Sequence, residues 1–125
     1  MIKNTLSLLT GLLLTACYSP NRNCTDFATG TFEFEYEIDG NTKKATFKRD
    51  LKYSVDYFDN QIDSSTVRWL NDCEFVLTPL DGKQTAIHYK ILSTTSDSYL
   101  FEYKRAVKQA HKKQLVKRGT ATKID

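Results

Sequence analysis

The chain has 125 residues, 40% of them apolar and 12% aromatic, with five glycines and two prolines. That composition excludes a disordered protein, and the length excludes more than one domain of ordinary size. The formal charge is only +3, so any charge-driven contact must come from a local segment.

Met1-Ile2-Lys3-Asn4 sets one positive charge ahead of a short apolar run, and small residues follow before Cys17. These are the parts of a secretory signal peptide. Leu6 to Ala16 is 11 residues long and includes Ser7, Thr10 and Thr15. A transmembrane helix needs about 20 apolar residues, and a buried core helix explains neither Lys3 nor the small-residue exit. Leu14-Thr15-Ala16-Cys17 resembles the lipobox of bacterial lipoproteins. The resemblance implies a leader over 1–16, lipidation at Cys17 and a mature chain of 109 residues. Tyr18 replaces the aspartate typical of inner-membrane retention, and no acidic run resembling a surface-export signal follows. The implied location is the periplasmic face of the outer membrane, anchored by lipid in the cell envelope.

Tyr18 to Thr29 is polar, with Pro20, Asn21, Asn23 and Asp26, and reads as a tether. This assigns 17–29 to the lipidated cysteine and tether and 30–125 to a β-domain. With Cys17 acylated, Cys24 and Cys73 remain as an even pair in an oxidising compartment. A bond between them closes a loop of about 50 residues, for which chain entropy gives roughly 4 kcal/mol. Two unpaired buried thiols are the alternative. His88 and His111 show no ligand spacing with the cysteines, so no metal or other cofactor is expected.

From Thr31 to Ile38, aromatics and Ile alternate strictly with Thr and Glu, the mark of a strand with one buried face. Asp39-Gly40-Asn41-Thr42 signals a tight turn. Ala45 and Phe47 then alternate with Lys44, Thr46 and Lys48 on a return strand, where the lysines face the glutamates of the first. Leu51, Tyr53, Val55 and Tyr57 continue the alternation as the inward set, against Lys52, Ser54 and Asp56. After a break at Asp59-Asn60-Gln61, Val67 and Trp69 share a face, as do Cys73, Phe75 and Leu77. Further strands carry Ile87, Tyr89 and Ile91, then Tyr99, Phe101 and Tyr103. Residues 104–118 lose the period and hold seven Lys/Arg, predicting a basic helix or loop before a last strand at Thr120 to Ile124.

About eight strands in succession, joined by tight turns, predict an all-β antiparallel meander. Closure would remove its edges. A lipocalin-like barrel or curved half-barrel is the leading architecture, with a two-sheet sandwich second. Cys17 with its tether, Asn23 to Phe32 (NCTDFATGTF), Val67 to Phe75 (VRWLNDCEF) and Gly119 to Lys123 together resemble a family of small Bacteroidota lipoproteins of unassigned function. Some members carry the name DNA topoisomerase IV. That activity requires an ATPase domain, an acidic metal-binding domain and a DNA-gripping core, for which 109 residues have no room.

No constellation points to catalysis. There is no Gly-x-Ser-x-Gly elbow and no His-Glu-x-x-His, and His88 reads as a solvated strand residue. Glu33, Glu35 and Glu37 read as a solvated face balanced by Lys44 and Lys48 rather than an acid/base or cation site. The aromatic set reads as a packed core, with a ligand cavity the alternative. Charge divides sharply: Asp26 to Glu102 carries net −6 and Tyr103 to Asp125 net +7. Lys108, Lys112, Lys113, Lys117 and Arg118 are the candidates for contact with anionic lipid or glycan through 104–118. Basic and aromatic residues are not interleaved there, and the compartment is wrong for nucleic acid. The functional expectation is a lipid-anchored envelope protein with a non-catalytic β-domain, structural or binding an envelope partner. A lipocalin-like carrier of a small apolar ligand is the second reading.

Overall fold

The computed structural model describes residues 22–108 and 110–125, excepting the side chains of Glu37 and Ile38. The leader over 1–16 and Cys17 lie outside the described residues. Eight strands form: β1 (Gly30–Ile38), β2 (Asn41–Arg49), β3 (Tyr53–Phe58), β4 (Gln61–Asn71), β5 (Glu74–Pro79), β6 (Ile87–Thr94), β7 (Ser98–Arg105) and β8 (Lys117–Lys123). Each pairs antiparallel with the next, and β8 returns to β1 to close a barrel. The meander is therefore neither a half-barrel nor a sandwich. Residues 106–116, described without Gln109, are a loop rather than a helix.

Local chemistry fixes both ends. Asp39-Gly40 and Asp59-Asn60 take positive φ at both central positions, giving two-residue hairpins whose twist matches the strands. These turns, with the β5–β6 and β7–β8 loops, rim an open mouth. At the other end Asp50 accepts the N–H groups of Lys52 and Tyr53, each at 2.7 Å, and Asn71 accepts that of Cys73 at 2.9 Å. Such side-chain turns hold the chain tightly where strands reverse.

The end opposite the mouth is plugged. Cys24–Phe27 forms a 3-10 turn with Cys24 and Phe27 almost wholly buried. A disulfide joins Cys24 to Cys73 in the β4–β5 turn, Cα to Cα 5.2 Å. The tether expected over 17–29 thus stops short: Cys24 to Phe27 belongs to the folded domain, because Phe27 packs on Phe32 and Tyr99.

Facing residues on paired strands point to the same side of a sheet, and one strand departs from its own pattern for this reason. Phe47 and Arg49 of β2 are buried, and they pair with Asp56 and Ser54 of β3. Ser54 and Asp56 are therefore the inward residues of β3. Leu51, Tyr53 and Tyr57, expected inside, are exposed. The remaining strands place Phe32, Phe75, Ile91, Tyr99, Phe101 and Ala121 inside, although on β5 the intervening Val76 is buried as well. Outside, Lys44 lies 3.3 Å from Glu33 and 4.0 Å from Glu35, the cross-strand pairing expected.

Candidate ligand-binding cavity

The interior begins on Arg49. Its Nε donates to the Ala28 carbonyl at 3.1 Å, Nη2 to the Phe27 carbonyl and Nη1 to the Tyr99 hydroxyl at 3.3 Å. Five rings surround the guanidinium, with centroids 4.5 Å (Phe75) to 5.8 Å (Tyr99) away. A buried cation needs such partners, since desolvation alone costs several kcal/mol. Carbonyls of the plug and aromatic faces supply them here, so Arg49 is the floor of the barrel as well as the clasp of its plug.

Above that floor the aromatic core is not filled. A cavity of about 410 Å³ runs from Arg49 towards the rim at Tyr36 and Arg118, with Phe34, Phe75, Tyr89, Phe101 and Tyr103 on its walls. The packed interior expected from the aromatic set is thereby corrected. The inward residues of β3 and the start of β4 are Ser54, Asp56, Asp63 and Ser65, too short to meet the aromatic wall of β6 and β7. Gly119 of β8 contributes in another way: a Cβ there would lie 2.8 Å from the Phe101 ring. Its missing side chain lets that ring lie flat on the wall.

A second, more open cleft of about 820 Å³ lies at the mouth and shares Asp56, Leu77 and Tyr89 with the cavity. The two spaces meet at those residues. Burial and the neighbouring Asp63 carboxylate push the Asp56 pKa up to about 6, against the pull of Arg49. Burial likewise raises the Tyr89 and Tyr99 hydroxyls, so both stay protonated and able to donate. The Ser54 hydroxyl is buried with no hydrogen-bond partner among the described residues. Apolar walls with a few convergent polar groups are the ordinary make-up of a small-molecule site.

The residues singled out from sequence lie elsewhere. Cys24 and Cys73 are joined at the plugged end. Lys108, Lys112 and Lys113 line a small surface cleft with Val107 and Leu115 in the β7–β8 loop, and Lys117 and Arg118 open β8. Of these five, Arg118 alone reaches the cavity rim. His88 is half-buried rather than solvated, its Nε2 3.2 Å from Glu74 Oε1 but out of line for a hydrogen bond. Among the described residues, no group of three or more His, Cys, Asp or Glu side chains could hold a metal ion.

Ser54, Asp56, Asp63 and Ser65 were not distinguished by the sequence reading. A signal existed: a two-residue turn at Asp59-Asn60 pairs Asp56 with Asp63 and Ser54 with Ser65. No protein-family model, curated protein or solved structure matches the chain.

Proposed function

We propose that the barrel binds a small, largely apolar ligand, as a lipocalin-like carrier, and that lipid on Cys17 holds it in the cell envelope at the periplasmic face of the outer membrane. One observation carries the binding half of this reading: the aromatic-walled cavity of about 410 Å³ connected to the mouth. A purely structural domain of this size gains stability from every ring packed in its core, and here that gain is forgone above Arg49. The anchor half rests on Leu14-Thr15-Ala16-Cys17 alone.

Calorimetric titration of the full mature chain in phosphatidylcholine nanodiscs with N-phenyl-1-naphthylamine tests the binding. Empty nanodiscs correct for partitioning. Saturable one-to-one binding is expected, and it should be lost in Leu77→Trp, which fills the passage between cleft and cavity. Binding no different from empty discs overturns the carrier. Loss of membrane partitioning on Cys17→Ser, with labelled palmitate no longer incorporated, tests the anchor.

A partner-binding reading keeps one specific support. Ile62, Leu80, Val107, Leu115 and Val116 are exposed around the mouth, beside Lys108, Lys112 and Lys113. An apolar rim edged with cations suits contact with an anionic surface from which a ligand is collected. Arg22 bonds the Ile91 carbonyl at the plugged end, so this rim lies at the opposite end of the barrel from it.

A further inference from the structure

Three charged side chains turn inward in the barrel, Arg49, Asp56 and Asp63, and Arg49 alone has partners among the described residues. Arg49 is held by carbonyls, a hydroxyl and five rings. Asp56 faces the cavity, and among the described residues no cation lies within salt-bridge distance of it or of Asp63. Their backbones are directly paired across β3 and β4, which places the two inward carboxylates on neighbouring positions with Cα atoms about 5 Å apart. Ser54, one step deeper on the same wall, is 2% exposed and its hydroxyl has no partner. Four strands round the barrel from β3 stands β7 with Phe101 and Tyr103, and β6 adds Tyr89.

We propose that the cavity selects an organic cation: an amine or amidine head seated between Asp56 and Asp63 and hydrogen-bonded by Ser54, with a flat apolar body against Tyr89, Phe101 and Tyr103. This rests on the carrier reading and names its ligand class. Carboxylates give an ammonium short, charge-assisted hydrogen bonds, and aromatic faces attract what remains of its charge. An anionic ligand would meet Asp56 and Asp63 where the cleft joins the cavity, with Arg118 at the rim and Lys83 and Arg105 in the cleft outside them, while the floor cation is already engaged. A metal ion finds only two carboxylates and small hydroxyls on one wall, with rings on the other. Paired like charges disfavour the empty barrel, and a bound ammonium relieves that repulsion.

Three probes sharing one body decide it: 2-(1-naphthyl)ethylamine, 2-(1-naphthyl)ethanol and 1-naphthylacetate, titrated into the full mature chain in phosphatidylcholine nanodiscs at neutral pH. The amine is expected to bind at least about tenfold more tightly than the alcohol, and the acetate least. Asp56→Asn and Asp63→Asn should each bring the amine towards the alcohol's affinity, with a circular dichroism spectrum matching the parent's to show that the variants are folded. Equal binding of amine and alcohol, or a preference that survives both substitutions, overturns the cation proposal and leaves the carrier standing. Binding of none of the three overturns both.

Discussion

The plugged end and the mouth of this barrel bury charges of opposite sign, and they treat them in opposite ways. At the plugged end Arg49 is met by the carbonyls of Phe27 and Ala28, the Tyr99 hydroxyl and a ring of aromatic faces. Towards the mouth Asp56 sits beside another carboxylate, with an unpartnered serine below and open space in front. The first arrangement stabilises a fold. The second does the reverse, and it is there that the proposed ligand is placed.

Substitutions at the two ends should therefore have opposite signs. The largest loss is expected from Arg49→Ala, which strands two buried carbonyls and opens a hole among five rings. A cost of about 3–5 kcal/mol follows from uncompensated burial, measured by urea unfolding. An unfolding midpoint equal to the parent's would remove Arg49 from its place as clasp. Cys24→Ser with Cys73→Ser should cost about 2–5 kcal/mol, and non-reducing mass spectrometry of the parent should find the two cysteines linked.

Asp56→Asn should move the other way. The Asp56 carboxyl titrates near 6 in the fold against its ordinary 3.8, so the folded chain binds the extra proton between those values. Stability contributed by this group is greatest at low pH, declines as pH rises from about 4 to about 6 and is level above. Removing the charge should then stabilise the ligand-free barrel at neutral pH by roughly 2–3 kcal/mol, with the gap closing near pH 4. A variant less stable than the parent at neutral pH would mean that Asp56 has a partner in the empty barrel. Smallest of all, Lys44→Ala on the solvated outer face should change stability by less than about 0.5 kcal/mol, in thermal melts at low and high salt.

The division between legible and illegible follows the same geometry. Strand number, the turn at Asp39-Gly40 and the inward aromatics of β1 and β5 to β7 could be read from local pattern, and the cysteine pair from the count left once Cys17 is set aside. Each of those strands turns its own aromatics inward. β3 does not, because its neighbour outvotes it: Phe47 and Arg49 must be buried, and pairing carries Asp56 and Ser54 inside with them. A single-strand pattern holds no information about what the facing strand requires. The cavity was illegible for a related reason. Whether rings meet across a barrel depends on the residues opposite, and the short side chains on the β3–β4 wall became visible only once register was known. Arg49, adjacent in sequence to a turn, gave no hint that carbonyls of residues 27 and 28 would close on it.

The disulfide has a mechanical side as well. From Arg22 onward the chain is fixed to the barrel, and β1 begins six residues after Cys24, on the seam with β8 where three residue pairs are in register and Thr31 bonds Ile124 and Asp125 as well. Arg22 donates to the Ile91 carbonyl at 3.0 Å and the Asn23 N–H to the Thr94 hydroxyl at 3.0 Å, so tension on Arg22 meets these two bonds to β6 and then the sulfur bridge. It is carried across to Cys73, whose carbonyl accepts the Ile91 N–H at 2.8 Å, and so is spread over the longer β4–β5 and β6–β7 ladders. A load that would otherwise fall on the β1–β8 seam is shared with β4, β5 and β6. The bridge acts as a strain relief, like the clamp that keeps a pulled cable from tearing out its own connection.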